Sequence, residues 1–197
     1  MPSDIVLTLP HGPNNPRNSE GAFITLADGR IAFIYTHDYG ESWHDDAAAR
    51  LCARYSSDGG KTWTAEDRVS LDNEGQRNIM SVSLLRLQDG RIALFYLRKN
   101  ANDCKLLMRT SQDEAESWSE AQECIPPAGY YVVNNDRVIQ LRSGRLVAPA
   151  GYHRYLNATD IDGRSLFQCY LSDDAGRTWR ESSDWWALPV RGHSGLQ

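Results

Sequence analysis

No apolar run in this 197-residue chain approaches the ~20 residues of a membrane-crossing helix. The start, Met1-Pro2-Ser3-Asp4, lacks the basic-then-apolar profile of a signal peptide, which leaves the compartment open. With 15 Gly and 8 Pro, the chain is too poor in both for a collagen-like or low-complexity class. Positive charge is in deficit, 21 Lys and Arg against 26 Asp and Glu. The arginines are scattered rather than clustered, so a nucleic-acid partner is not expected. Cysteine is scarce: the four contain no C-x-x-C pair and no neighbouring His set, so no metal site and no organic cofactor is called for. Cys52, Cys104 and Cys169 lie in apolar, strand-like runs and read as buried thiols. Asn157-Ala-Thr159 matches a glycosylation sequon, a pattern common by chance.

What is present is a repeat. Leu26-Ala-Asp-Gly-Arg-Ile-Ala-Phe-Ile-Tyr35 returns as Leu87-Gln-Asp-Gly-Arg-Ile-Ala-Leu-Phe-Tyr96, and in degraded form as Leu141-Arg-Ser-Gly-Arg-Leu-Val-Ala-Pro-Ala150. Each copy places a Gly-containing turn between apolar stretches rich in β formers, a hairpin signal. A second element follows. Ser56-Ser-Asp-Gly-Gly-Lys-Thr-Trp63 and Ser172-Asp-Asp-Ala-Gly-Arg-Thr-Trp179 fit S-x-D-x-G-x-T-W, and Ser111-Gln-Asp-Glu-Ala-Glu-Ser-Trp118 fits with Ala115 in the Gly slot. The box aspartates stand at 58, 113 and 174, so 55 and 61 residues apart. Four antiparallel strands at such a period read as propeller blades.

The boxes have a mechanical reading. Ser and Asp side chains cap the free N–H groups of a tight turn, Gly60 and Gly176 supply a positive φ, and Trp packs back over the turn. Ala115 would carry a left-handed penalty of roughly 1–2 kcal/mol, so a distorted middle box is expected. Thr36-His-Asp-Tyr-Gly-Glu-Ser-Trp43 matches a relaxed box but falls out of frame, and reads as a coincidence in a long loop.

Boxes interleaved with D-G-R hairpins resemble the Asp-box repeats of the sialidase (neuraminidase) superfamily, from about Arg17 to Gln197. The resemblance implies an all-β, six-bladed propeller, of which this chain would hold about three blades (17–70, 77–125 and 130–186) and the start of a fourth near 191. It implies a site at one end of the axis with the boxes at the other. It also implies retaining hydrolysis of terminal sialic acids through a Tyr nucleophile polarised by a Glu, with an Asp acid/base and three Arg holding the substrate carboxylate.

Carried over by motif, Arg17 takes the place of the first carboxylate-binding Arg, without the Pro that usually follows. The acid/base would come from the loop Thr36–Ala49, which contains Asp38, Asp45 and Asp46; Asp45 is the first choice and Asp46 the second. Glu20, Asn78, Asn134, Asn135, Asp136 and His153 would line a glycan pocket, with His37, Trp43 and His44 as further candidates. Plainer readings stand beside these. Asp45 could cap a short helical turn, Arg17 could be a solvated arginine, Asn134 to Asp136 an ordinary turn and His153 an exposed histidine. The polarising Glu in its E-P motif, two further Arg and the Tyr are not found before Gln197. The leading expectation is therefore an exo-sialidase-like glycoside hydrolase with the nucleophile half of its site missing, inactive alone. Its partners would be a glycan or sialoside and the missing C-terminal blades. The alternatives are a non-catalytic Asp-box propeller binding glycan or protein, and a glycosidase for another sugar.

Overall fold

The computed structural model describes residues 4–157 and 160–187, so the fourth repeat expected near 191 lies outside the described residues. Among these residues there is no helix. The strands form three successive antiparallel groups. The first contains β1 (Asn18–Thr25), β2 (Ile31–Asp38), β3 (Ala49–Ser56) and β4 (Arg68–Leu71). The second contains β5 (Asn78–Arg86), β6 (Ile92–Lys99), β7 (Cys104–Ser111) and β8 (Gln122–Glu123). In the third, the expected opening strand is split into β9 (Tyr130–Val132) and β10 (Ile139–Gln140), both paired with β11 (Leu146–Tyr155), followed by β12 (Ile161–Ser172) and β13 (Arg180–Ala187). The second and third groups meet edge to edge at a single parallel bridge, Cys104 with Tyr130.

The hairpins close as their turn residues dictate. Leu26 N–H donates to Arg30 O at 2.8 Å, and the same closure recurs at Leu87 with Arg91 and at Leu141 with Arg145. In each turn the Gly is left-handed, with φ between 87° and 91° at Gly29, Gly90 and Gly144.

Face-to-face packing supplies the core. Alternate residues Ala32 and Ile34 of β2 meet Ile79, Val82, Leu84, Ile92 and Leu94 of the second group. The other face of that group, with Ala93, Phe95 and Leu97, packs on Leu146, Ala148, Ala150 and Tyr170. The middle group is thus covered on both faces, which is why β6 reads as an unbroken apolar run, Ile92 to Leu97. Burying each such large side chain stabilises by about 1.5–3 kcal/mol. Cys52, Cys104 and Cys124 are buried, whereas Cys169, expected inside, is only partly so because β12 lies toward the open side of the third group.

The three boxes sit at one end of the strands. Ser56 Oγ accepts from Gly60 N at 2.9 Å, Asp58 accepts from Thr62 N at 2.9 Å and from Thr62 Oγ1 at 2.7 Å, and Trp63 Nε1 donates to Gly60 O at 3.1 Å. Ser172, Asp174 and Trp179 repeat the set. The middle box is not distorted, contrary to expectation. Ala115 adopts φ 67° and donates to Ser111 Oγ at 2.9 Å, and Ser117 N donates to Asp113 at 2.9 Å. Its neighbour Glu114, at φ 59°, is held by Arg86 and by Ala27 N–H, so contacts with the first group support the left-handed pair. Only the tryptophan differs: Trp118 Nε1 turns to Ser70 Oγ at 3.1 Å.

Candidate active site

At the strand ends opposite the boxes, the repeat places ionisable groups where the core ends. Eight residues beyond the turn arginines Arg30, Arg91 and Arg145 stand Asp38, Lys99 and His153, with relative exposures of 3%, 5% and 5%. Three repeat-equivalent ionisable residues, all buried, is an unusual arrangement for these side chains. Each faces a residue in, or just before, its group's first strand. Asp38 N–H donates to Arg17 O at 3.0 Å, Lys99 pairs with Asn78, and His153 pairs with Tyr130.

The backbone is bent where these inner strands pass. Glu20 in β1 and Ser81 in β5 take positive φ of 50° and 61° at equivalent bulges, and Asp136 of the third group takes 55°. Such non-glycine conformations each cost on the order of 1–3 kcal/mol and gather at functional places. They also meet: Ser81 Oγ donates to Glu20 Oε2 at 2.8 Å, Asn135 Nδ2 to Gly21 O at 3.3 Å, and Asp136 N to Val82 O at 2.9 Å.

Arg17 is the centre of charge. Its Nη1 lies 2.5 Å from Asp45 Oδ1, its Nε lies 3.6 Å from Asp38 Oδ2, and its Nη2 lies 3.9 Å from Glu20 Oε1. The two aspartates respond in opposite directions. Burial pushes the Asp38 carboxyl up to about 6 against the pull of Arg17, and its Oδ2 has no hydrogen-bond partner. The hydrogen bond from Arg17 holds Asp45, whose side chain is largely exposed, below the usual carboxylate range. Asp46 pairs instead with Arg77 and lies 3.8 Å from Lys99 Nζ.

The 39–48 loop that carries both aspartates is fixed from below. Asn78 Nδ2 donates to Asp45 O at 2.7 Å and to Ala47 O at 2.8 Å, and Lys99 Nζ donates to Asp45 O at 3.0 Å. A hydrogen-bonded turn from Ala47 N to His44 O takes the place of the helical turn that Asp45 could have capped. A cavity of about 120 Å³ adjoins, lined by Asp46, Arg77, Asn100, Tyr130 and Tyr155. A larger groove runs along the outer face of β1 and β2 past Phe23, Phe33 and Trp63, but its walls are mainly apolar and Glu20 is its sole carboxylate among the described residues.

Arg17, Glu20, Asp45, Asp46 and Asn78 are therefore brought together, and Asn135 and Asp136 reach the same bulges. Asn134 adjoins them in sequence. His153 is not on a loop, as expected, but inside β11. Its Nδ1 lies 2.9 Å from Asp162 O and its Nε2 is buried without a partner. Similarly, Asn78 opens β5 and Tyr130 opens β9 instead of preceding them. Sequence reasoning named Asp38 only in passing and missed Lys99 and Ser81. Counting eight residues from each turn arginine would have found Asp38 and Lys99.

The family described as a BNR repeat-like domain matches residues 53–184, more than half of the chain. No curated protein sequence matches. Among solved structures, the NanB sialidase from Streptococcus pneumoniae is similar with a TM-score of 0.65 at 14% identity, over 95% of this chain and 47% of that one. A leech intramolecular trans-sialidase gives 0.64 at 14%, over 92% and 45%. A thermostable family-43 glycoside hydrolase gives 0.61 at 12%, over 83% and 53%. The chain spans about half the length of these structures, and at such identity the likeness is one of fold.

Proposed function

The chain belongs to the BNR repeat-like domain family, and from the chemistry of its rim we propose that it carries the binding and proton-donating half of a sialidase-type glycoside hydrolase. The three antiparallel groups are, on this reading, three blades of a ring of six. The observation that carries the proposal is one arginine flanked by two carboxylates pushed apart in acidity, Asp38 buried and raised, Asp45 exposed and lowered.

Asp38, protonated near pH 6, gives its proton to the glycosidic oxygen as the C–O bond breaks, and the aglycone leaves as an alcohol. Asp45, the first choice from sequence, stays anionic on this assignment and holds Arg17 until substrate arrives, while Asp46, the second choice, pairs with Arg77. Glu20, Asn78, Asn134, Asn135, Asp136 and His153 supply amide, carboxylate and imidazole groups for sugar hydroxyls. The rim tyrosines are poor nucleophiles: burial pushes Tyr130 well above its ordinary range and Tyr155 up to about 12. The nucleophile is therefore proposed to come from residues other than those described.

A second reading is favoured by one observation. Arg17 already has Asp45 at 2.5 Å, with Asp38 and Glu20 close by, so an acidic sugar must displace Asp45 whereas a neutral one need not. Ligand-observed NMR with the α-methyl glycoside of N-acetylneuraminic acid and with neutral methyl glycosides separates the two. The acidic-sugar reading expects binding that Arg17→Ala abolishes. Binding of neutral glycosides alone overturns it in favour of another glycosidase. Binding without turnover by the longest natural protein that contains this chain leaves a non-catalytic Asp-box propeller.

A further inference from the structure

Trp43, Trp185 and Trp186 are the exposed tryptophans among the described residues, and of these Trp43 is the one on the 39–48 loop, Trp185 and Trp186 lying in β13. Trp63, Trp118 and Trp179 are box residues with their indole N–H groups hydrogen-bonded, whereas Trp43 is 63% exposed at the crest of the 39–48 loop. A single exposed aromatic needs no explanation by itself. This one is held in place. Its ring stacks on His44 at 4.6 Å between centroids and 18° between planes. Its carbonyl accepts from Arg17 Nη1 at 3.4 Å, and the residues that follow are tied down by Asn78, Lys99 and Arg77. An oriented, solvent-facing indole is thereby fixed beside the central arginine.

We infer that the Trp43–His44 pair is a stacking platform for the second sugar of the ligand, the ring on the leaving-group side of the bond to be cleaved. The inference rests on the glycan-binding reading above and adds a subsite to it. The occupant follows from the gradient of exposure. Asp38 is 3% exposed at the strand ends, the Arg17 side chain is 25% exposed, and Trp43 on the 39–48 loop is 63% exposed. A terminal sugar held by the buried groups therefore directs its aglycone outward along the loop, toward the indole face. An indole offers a flat apolar surface to the C–H face of a pyranose and loses little conformational entropy in doing so. Ring stacking of this order corresponds to about fivefold in affinity.

The test is ligand-observed NMR or calorimetry on the full chain with paired ligands, acidic and neutral: methyl monosaccharides and the matching disaccharides. Wild type binds a disaccharide about fivefold more tightly than its methyl monosaccharide, Trp43→Ala removes that gap without weakening the monosaccharide, and Trp43→Phe retains part of it. Thermal unfolding of both variants matches wild type, since the indole is exposed. A gap confined to neutral pairs upholds the platform while overturning the acidic-sugar reading. Equal weakening of mono- and disaccharide by Trp43→Ala, or no gap in wild type, overturns the platform.

Discussion

The two ends of the same strands are built on opposite terms. At the box end, three copies of one turn close on themselves, each Asp accepting from the backbone and hydroxyl of a Thr or Ser four residues on. Those bonds hold Asp58, Asp113 and Asp174 down at about 2. At the rim end no two groups are alike. The seven buried side-chain atoms without a hydrogen-bond partner among the described residues, on His37, Asp38, Arg50, Asn78, Arg98, His153 and Ser165, all belong to this half of the strands. One carboxyl there is pushed up to about 6. The repeat is therefore conserved as a fold at one end and diversified as chemistry at the other. Polar groups left unsatisfied in a folded core cost about 1–3 kcal/mol each, and the boxes are one place where that cost is offset.

The sharpest way to break this comparison is to neutralise the rim. In an active protein containing this chain, Asp38→Asn is expected to lower kcat by about 10²–10⁴-fold through loss of the proton donor. Asp45→Asn, which only releases Arg17, should fall short of that and act mainly through KM. Steady-state kinetics on the best glycoside from the binding panel checks both. An unchanged kcat in Asp38→Asn, with loss in Asp45→Asn, would return the acid role to the residue first chosen from sequence.

Next in size is a break at the box end. A Cβ at Gly176 would stand 2.3 Å from Met108 Sδ at a φ of 89°, while at Gly60, φ 88°, the nearest atoms are 3.9 Å away. Gly176→Ala is expected to cost about 2–4 kcal/mol, strain plus overpacking, against about 1 kcal/mol for Gly60→Ala, which meets the strain alone. Denaturant unfolding measures the difference. Equal costs would mean that the third box yields to Met108 without loss.

The ends should also answer pH with opposite signs. Asp38 has its folded pKa raised from an ordinary value near 4 to about 6. Its favourable contribution is complete below about pH 4 and is lost as pH rises through 6, because the folded state then holds a buried charge. Above pH 7, Asp38→Asn should therefore be more stable than wild type by on the order of 2–3 kcal/mol, with the gap closing by pH 4. The depressed box aspartates act the other way: their stabilisation is present above about pH 4 and lost as pH falls through 2. Thermal unfolding across pH 3–8 shows whether the Asp38 slope is there.

The box end was legible because it is local. Ser, Asp, Gly and Trp sit within eight residues, and a turn of that kind is determined by its own side chains. β6 was legible from its apolar run. The rim was read less well because its partners are distant in sequence. Asp38 lies 21 residues after Arg17, and Lys99 reaches the carbonyl of Asp45 from 54 residues away. The eight-residue count from Arg30 picks out the position of Asp38 but does not show that it differs in acidity from Asp45. Burial separates them, and burial depends on the second group closing over the end of β2. The divided strand β9 and β10, and the place of His153 inside β11, were missed for a related reason. Asn134 and Asn135 do lie in a turn, between β9 and β10, and the short apolar pieces on either side are strand only through their pairing with β11.

The smallest effect is the one that decides how local the box end is. Ala115 holds φ 67° and is 4% exposed, so Ala115→Gly changes three things at once. Relief of the left-handed strain favours the variant by about 1–2 kcal/mol. Loss of one buried methyl opposes it by about 0.8 kcal/mol, and the freer unfolded chain opposes it by about 0.4–1 kcal/mol. The sum is close to zero, and equilibrium unfolding should place the variant within about 0.5 kcal/mol of wild type. Stabilisation beyond about 1 kcal/mol would show the methyl to be poorly packed and the middle box a strained member of the set. Clear destabilisation would show the opposite: the left-handed pair Glu114–Ala115 is held by Arg86 of its own group and by Ala27 from across the group boundary. In that case the box end, too, depends on its neighbours, and the contrast with the rim becomes one of degree.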